Sequence, residues 1–526
     1  MSSRLATYLA ISIVALTPTT ALAIPDGADG RALHGAASAM MELRLADARQ
    51  TLERLAREYP EDPDVRFERA LLRFYLGEYA GAVSDLDAVG DRGTLRSEAD
   101  RAELTALIRA TEAATRSFET ARSPDGRYVV RYAPGPDAVL VPWALDAMAA
   151  ADRAIGEELG VRVPGPIRLE IYPSAAGLAD VSSLTVENIA TSGTIALCKW
   201  DRLMVTSPRA LVRGYPWMDT IGHELVHLFL TRASRDRAPV WFQEGVAKFL
   251  ERRWRGEPPE VRLDPASEGL LHAAVEHDEL LPFERLHPSI ALLPSQEQAA
   301  LAFAQVATFV EGFYHAHGRD GLQRAVTAMA HGDDAREALA EVAGSDWDDL
   351  ERAWRVGLRS RPPPPTDPPR MLTLRLASGE GAAEEASDVV VEEARRHLRL
   401  GDLLWDRQRP AAASVEYGRA HDAAPDDPIV ASRFARAALD GGRPAEAVRA
   451  LARFRERYPE HAPTWAVSGA AWLALGERGR ARDALLEAIR LNPFDPAVSC
   501  DLAEATDVSA ERVRARDACG LLRRTR

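Results

Sequence analysis

The chain has little cysteine, almost no lysine and few aromatic residues. Only 3 of its 526 residues are cysteines, and its lysines are Lys199 and Lys248. So few cysteines exclude a dense disulfide framework, and the length exceeds one compact core, so that several domains are expected. The net charge of −14 excludes an extended basic face, which argues against nucleic acid as a main partner.

Long apolar runs are also missing, apart from the first 23 residues, MSSRLATYLAISIVALTPTTALA. An early arginine, a short apolar run and a small-x-small ending are typical of a cleaved export signal. The run is too short for a bilayer core of roughly 30 Å. We therefore predict a signal peptide over 1–23 and an exported mature chain, periplasmic or secreted, with no membrane span. An uncleaved anchor is the alternative.

The three cysteines are compatible with one disulfide. An oxidising compartment would permit a bridge between Cys500 and Cys519, which leaves Cys198 unpaired. The alternative is that all three are reduced and buried, because cysteine behaves as a small apolar residue.

The last third of the sequence repeats with a period of 34 residues. The positions that keep this interval are Pro425, Pro459 and Pro493, together with Gln408, Gly442 and Gly476. Paired helices with this period resemble the tetratricopeptide repeat (TPR), in which stacking buries the apolar faces that a single unit leaves exposed. A similar unit at 57–86 predicts a second, shorter array near the N-terminus.

Between the arrays the pattern changes. Alternation predicts strands at 126–134 and 167–174 and a hairpin over 193–207, while helical spacing predicts a helix at 141–160. The proline-rich stretch at 360–370 fits neither helix nor strand and predicts an extended linker. The middle of the chain is therefore predicted to be an α+β domain.

These patterns divide the chain into five parts. In order, they are a signal peptide (1–23), an N-terminal TPR-like helical region (24–118), the α+β domain (119–360), a proline-rich linker (361–389) and C-terminal TPR repeats (390–526).

The segment IGHELVHLFL, residues 221–230, contains two histidines four residues apart. In an α-helix His223 and His227 lie on one face, one turn apart, so both imidazoles can bind one cation. Glu224 lies about 100° round the helix, where it can face a water molecule without ligating the metal. His-Glu-x-x-His is a metalloprotease motif. The alternative is a buried helix whose histidines are satisfied by hydrogen bonds.

The segment WFQEGVAKFLE, residues 241–251, offers a third ligand. Glu244 lies among apolar residues, where an unpaired carboxylate would be costly and a zinc ion would be a sufficient partner. Catalytic zinc takes three protein ligands and keeps one open position. Glu251 lies on the same helix face, where it can accept a hydrogen bond from the outer nitrogen of a ligating histidine.

Together the two segments resemble the gluzincin metallopeptidases, and in particular the peptidase-MA-like branch, which is often found beside TPR repeats. The matching positions are His223, Glu224, His227, Trp241, Glu244, Gly245, Ala247, Phe249 and Glu251. The resemblance covers about 125–358 and implies a thermolysin-like α+β domain between all-α TPR-like arrays. It also implies Zn²⁺ held by His223, His227 and Glu244, with Glu224 as general base in peptide-bond hydrolysis.

One position departs from the family pattern. Phe303 stands where the branch often has tyrosine, so the hydrogen-bond donor to the reaction intermediate is unassigned. Tyr314, His315 and His317 are nearby alternatives.

Two functions follow. The first is an exported zinc peptidase that acts on a peptide or protein substrate and recruits partners through its repeats. The second is a zinc-binding or degenerate scaffold, in which the repeats carry the function. The intact metal motif favours the first hypothesis, and Phe303 favours the second. The repeats could also serve only to pack against the middle domain from either side.

Overall fold

The computed structural model describes residues 28–89, 93–286, 289–361, 368–378 and 382–525. The predicted signal peptide and most of the proline run lie outside these residues. Within them, the chain is mainly helical with one five-stranded sheet near its centre. No helix in this part of the chain is both long enough and apolar enough to cross a membrane.

The described part of the N-terminal region is a stack of helices. They are α1 (Ala28–Met41), α2 (Leu45–Glu58), α3 (Pro63–Tyr75), α4 (Tyr79–Val89) and α5 (Glu98–Thr115). Helix α3 begins after Asp62, whose carboxylate accepts a hydrogen bond from the Val65 backbone and so caps the helix. The apolar faces of these helices form one cluster with Tyr172 and Met204 of the sheet. The N-terminal array therefore packs against one face of the sheet.

The sheet confirms the strands predicted from alternation. Its strands are β1 (Glu119–Arg122), β2 (Tyr128–Tyr132), β3 (Ile167–Tyr172), β4 (Ala196–Lys199) and β5 (Arg202–Thr206). The order is β1-β2-β3-β5-β4, with parallel pairing in the centre and antiparallel pairing at both edges. All six residues of β3 are buried, as expected for a strand covered on both faces. Strand β4 forms an edge.

Nine helices of the central domain surround the sheet or follow it within the described residues. They are α6 (Val141–Leu159), α7 (Ala175–Asp180), α8 (Val186–Ser192), α9 (Trp217–Ser234), α10 (Val240–Leu250), α11 (Pro265–Glu276), α12 (Gln296–His331), α13 (Ala335–Ala343) and α14 (Trp347–Arg359). Short 3-10 helices lie at Pro136–Leu140, Pro208–Ala210, Arg253–Arg255, Phe283–Leu286 and Ile290–Leu292. Helix α6 ends at the left-handed Gly160, as the sequence predicted.

The C-terminal region confirms the 34-residue period. Its helices are α15 (Ala382–Ala386), α16 (Glu392–Asp406), α17 (Pro410–Ala423), α18 (Pro428–Asp440), α19 (Pro444–Arg457), α20 (Ala462–Ala474), α21 (Arg478–Leu491), α22 (Pro496–Ala505) and α23 (Ser509–Arg524). Gln408, Gly442 and Gly476 adopt φ values of 57°, 75° and 79° at the turns between paired helices. The repeated sequence positions thus mark one repeated turn.

The last repeats are joined firmly to the central domain. The indole nitrogen of Trp217 donates to the Ile489 carbonyl at 3.0 Å, and the Tyr215 amide donates to the Leu491 carbonyl at 2.9 Å. A disulfide joins Cys500 of α22 to Cys519 of α23, which settles the alternative that the sequence left open.

Residues 368–378, which we call the strap, belong to the segment predicted as a linker. The strap lies extended on the central domain, because Val212 donates to the Arg375 carbonyl and Ala377 donates to the Ala210 carbonyl. The side-chain amide of Gln296 holds both backbone groups of Leu374, at 2.7 and 2.9 Å. Where it is described, this connection therefore forms part of the surface of the domain.

Candidate metal centre

Two glycines allow the helices of the candidate centre to approach one another. A Cβ on Gly222 of α9 would lie 2.3 Å from the Glu251 carbonyl oxygen, at the end of α10. A Cβ on Gly245 of α10 would lie 2.6 Å from the Val306 carbonyl oxygen of α12. Real side chains do not fit at these distances, so glycine is required at both positions. This close packing brings the glutamates of α10 to the histidines of α9.

Three predicted ligands converge on one point. The Nε2 atoms of His223 and His227 lie 3.2 Å apart, and Glu244 Oε2 lies 3.1 Å from the first and 3.4 Å from the second. Tetrahedral bonds of about 2.0–2.1 Å to zinc place neighbouring ligand atoms roughly 3.3 Å apart. All three side chains keep a little exposure, 14–19%. The arrangement therefore fits three ligands around one small cation with an open side.

The outer nitrogens of both imidazoles have acceptors. His223 Nδ1 lies 3.4 Å from Glu251 Oε2, and His227 Nδ1 lies 3.4 Å from Gln243 Oε1. The Gln243 amide nitrogen donates to the Ala238 carbonyl at 2.8 Å, which turns its oxygen towards His227. These acceptors can hold a proton on Nδ1 of each imidazole, which would leave both Nε2 atoms free to ligate a cation beside Glu244. A cation bound there would replace the proton that His223 Nε2 otherwise shares with Glu244.

The electrostatics of the cluster also favour a positive charge at its centre. Burial alone would raise the pKa of Glu244, but the charge of His227 and the hydrogen bond to His223 hold it well below its usual range. Burial would lower the pKa of His223, yet its bonds to Glu244 and Glu251 raise it to about 10. A divalent cation would supply the positive charge that the cluster stabilises.

Glu224 points at the same space without joining the ligands. Its side chain is buried, at 4% exposure, and Oε2 has no hydrogen-bond partner among the described residues. Burial raises its pKa, an effect that His227 and His223 oppose only in part. An unpartnered buried carboxylate oxygen is costly, so a further polar group is expected to occupy the adjoining space.

The centre opens into a cavity of about 970 Å³. Its walls come from every described part of the chain: α5, the stretch from Gly193 to Trp200, the metal helices, the strap, and the Arg457–His461 segment of the C-terminal repeats. Such a volume lies at the upper end of the range for ligand pockets. It can accept an extended peptide segment and excludes a folded domain.

The other predicted site residues lie as follows. Phe303 lines the cavity, with its ring centroid 6.2 Å from that of His223. Tyr314 donates instead to Glu158 at 2.8 Å, the His317 ring packs on Phe313, and His315 is exposed. None of these three alternatives lines the cavity.

Sequence reasoning missed two supports of the centre. Gln243 orients His227, and Lys248 binds the second oxygen of Glu251 at 2.7 Å. A signal was present for the first, because Gln243 directly precedes the ligand Glu244. Lys248 is one of two lysines in a chain that otherwise uses arginine, and it lies one turn after Glu244.

Two family models match parts of the chain. Residues 147–360 match the family model of the Peptidase MA superfamily, and residues 38–92 and 432–496 match the tetratricopeptide repeat. No curated protein matches the chain.

Several solved repeat proteins are similar to parts of the chain. The first TPR of Spaghetti (RPAP3) bound to an HSP90 peptide is 19% identical, covering 23% of this chain and 97% of that chain, with a TM-score of 0.22. A thermophilic TPR protein of Thermus thermophilus is 24% identical, covering 25% and 74%, with a TM-score of 0.23. By its sequence match, the chain carries a Peptidase MA superfamily domain between two segments of tetratricopeptide repeats.

Proposed function

We propose that this protein is an exported zinc-dependent metallopeptidase. The observation that carries the proposal is the convergence of His223, His227 and Glu244, whose ligand atoms all lie within 4.8 Å of one another. The Peptidase MA superfamily match supports hydrolysis of peptide bonds as the reaction.

The donor set favours zinc. Two imidazole nitrogens and one carboxylate oxygen, with a fourth side open to a cavity, are typical of catalytic zinc sites. When bound, zinc supplies Lewis-acid chemistry, polarising a carbonyl and making water more acidic. A mixed sheet whose antiparallel edge strand precedes the metal helix is consistent with a thermolysin-like α+β fold.

Glu224 is the proposed general base. Glu224 lines the cavity beside the ligands, and its raised pKa suits a group that accepts a proton from water and passes it to the leaving amine. Glu251 and Gln243 would accept the Nδ1 protons of the two histidines and so orient their Nε2 atoms towards a bound zinc ion.

Strand β4 is the proposed binding edge for an extended substrate. It pairs only with β5 within the described residues, and its residues from Ala196 to Lys199 line the cavity. A peptide could add to this edge as a further strand, with its scissile bond near Glu224.

Export and partner binding are further parts of the proposal. The Cys500–Cys519 disulfide is consistent with an oxidising compartment, as the predicted signal peptide implies. One similar repeat structure is a complex with an HSP90 peptide, which supports protein recognition by the repeats of this chain as well.

The second candidate function is a zinc-binding scaffold with weak catalysis or none. Phe303 favours it, because this ring stands beside His223 and offers no hydroxyl to a reaction intermediate. Both candidate functions include a bound zinc ion, and they differ in whether the protein hydrolyses peptides at a substantial rate.

The deciding experiment measures zinc and hydrolysis together in the purified mature chain, residues 24–526. We expect about one zinc per chain, none in a His223→Ala, Glu244→Ala double variant, and full retention in His272→Ala, a histidine outside the cavity. Glu224→Gln should keep its zinc and lose turnover by roughly 10²–10⁴.

The outcomes separate the hypotheses. Zinc without hydrolysis of any peptide by the wild type would support the scaffold. Absence of zinc after refilling would overturn both zinc-dependent functions and leave the degenerate repeat scaffold. Equal turnover in Glu224→Gln would remove the general-base role.

A further inference from the structure

The C-terminal repeats contribute a fixed wall to the metal cavity. The residues from Arg457 to His461 connect α19 to α20 and line the cavity. His461 is buried and bonded through both ring nitrogens, to Thr464 at 2.7 Å and to Glu385 at 3.1 Å. The Trp465 indole donates to the Pro459 carbonyl at 2.8 Å. The position of this segment is therefore built into the fold.

Glu460 extends from this wall into the cavity. Its side chain is exposed there, and within the described part of the chain it has no hydrogen bond or ion pair. Its nearest charged neighbours are already held by others. Lys248 is bound to Glu251, Asp264 caps α11, and Asp219 is paired with Arg255.

Most cations of the cavity wall are also committed elsewhere, and the Lys199 ammonium lies over the Trp200 ring. The ion pairs are Arg213 and Arg375 with Asp388, Arg370 with Asp427, and Arg252 and Arg262 with Glu257. Glu460 is therefore a carboxylate that faces a ligand-sized space without a cation of its own. The same cavity is lined by Glu224 and the three candidate metal ligands, so a ligand is expected beside Glu460.

We propose that Glu460 is a specificity-determining residue that binds a cationic side chain, lysine or arginine, of the substrate peptide. The inference rests on the proposed peptidase function and names the substrate class. It assigns a role in that function to the C-terminal repeats, since they place the carboxylate in the cavity.

The electrostatic environment agrees with this assignment. Glu460 is accessible from within the cavity, but the cavity walls shield it from bulk water. This desolvation, followed by the negative charge of Asp264, raises the pKa of Glu460 to about 7, although Lys248 opposes the shift. A substrate cation beside Glu460 would favour its ionised form and so gain a charge-assisted hydrogen bond.

The test measures peptide binding to the full mature chain carrying Glu224→Gln, which holds substrate without cleaving it. The probes are fluorescent ten-residue neutral peptides with acetylated N-termini, in which one lysine is stepped along the sequence. Each is matched by a peptide with norleucine at the same place. At the best position we expect lysine to bind roughly tenfold more tightly than norleucine, the effect of one partly buried ion pair.

Variants of Glu460 test whether this residue causes the preference for lysine over norleucine. Glu460→Gln in the same background should remove the lysine preference, and Glu460→Lys should reverse it. The matched control is Glu456→Gln, an exposed residue directly before this segment and outside the cavity, which should retain it. Zinc content measured on each variant reports whether the metal centre is intact.

Equal binding of lysine and norleucine peptides at every position would overturn the inference, as would a lysine preference that persists in Glu460→Gln. Failure of every peptide to bind would overturn it too. Zinc content and Glu224-dependent hydrolysis, measured separately, would then decide whether the proposed function fails with it.

Discussion

The N-terminal and C-terminal repeats differ in how deeply they bury charge against the central domain. The N-terminal array meets the sheet around fully buried charge. Arg202 is 1% exposed, donates to Tyr79, and pairs with Glu170 at 3.3 Å. The C-terminal array extends the apolar core of the central domain, and its ion pairs with that domain are more exposed: Arg213 with Asp388, Arg255 with Glu487 and Arg514 with Asp146.

The two interfaces therefore have different structural roles. The N-terminal interface supports the sheet, and the C-terminal interface helps to form the cavity. Charges buried at the N-terminal interface fix the orientation of the sheet, since each must keep its partner. The C-terminal interface packs apolar residues against α9, the helix that carries the histidines, and positions Glu460 in the cavity. The simplest hypothesis for the repeats, packing against the central domain from either side, therefore describes part of what they do.

The largest expected effect comes from breaking the N-terminal interface with Arg202→Met. Removing one partner leaves Glu170 buried with Arg131 as its remaining cation, which should lower the stability of this interface by about 3–5 kcal/mol. Hydrogen exchange in α3 and α4 measures the loss.

The matched control is Arg109→Met, which removes an exposed pair with Asp87 and should cost less than about 1 kcal/mol. Unchanged exchange in Arg202→Met would mean that this buried ion pair contributes little to holding the N-terminal array.

The C-terminal interface should break at Gly214. This residue has φ of +73°, and a Cβ there would lie 2.3 Å from the Leu491 carbonyl oxygen. Gly214→Ala adds left-handed strain of about 1–2 kcal/mol and an overpacking cost of about 1–3 kcal/mol. We expect faster hydrogen exchange in α21.

Gly312→Ala provides the contrast for Gly214→Ala. A Cβ there meets nothing within 4 Å inside helix α12, so this change should stabilise the helix by about 0.5–1 kcal/mol. If the amides of α21 exchanged at the wild-type rate in Gly214→Ala, the prediction would be wrong. The interface would then accommodate the added methyl group without losing stability.

The sequence was most informative where the chemistry is local. Helical spacing predicted that His223, His227 and Glu224 share one region, and the 34-residue period predicted the turns of the C-terminal repeats. Glu244 and Glu251 were proposed from apolar surroundings and a shared helix face, and the resemblance supported them. Their approach to α9 depends on a tertiary contact, the close packing of Gly222 on the Glu251 carbonyl.

The features that could not be predicted from the sequence depend on tertiary contacts. A repeat period identifies Glu460 as a residue between helices, but it does not indicate which of these connections meets the cavity. The strap was predicted as a linker because proline excludes regular structure, and this says nothing about the side-chain amide of Gln296 that holds it. The Cys500–Cys519 bridge depends on the packing of α22 against α23.

The smallest expected effect comes from Gln243→Leu, which tests a support of the metal centre that lies on α10 itself and not in a repeat array. Gln243→Leu removes the acceptor for His227 Nδ1 at nearly constant volume, so the imidazole loses its fixed orientation. Zinc affinity, measured by competition with a chelator, should fall by about 10–100-fold. Arg202→Met should leave that affinity unchanged, because its contacts lie on the N-terminal side of the sheet.

Equal zinc affinity in Gln243→Leu and wild type would mean that the three ligands alone orient His227. A loss in Arg202→Met would mean that the N-terminal array supports the metal helices through the sheet.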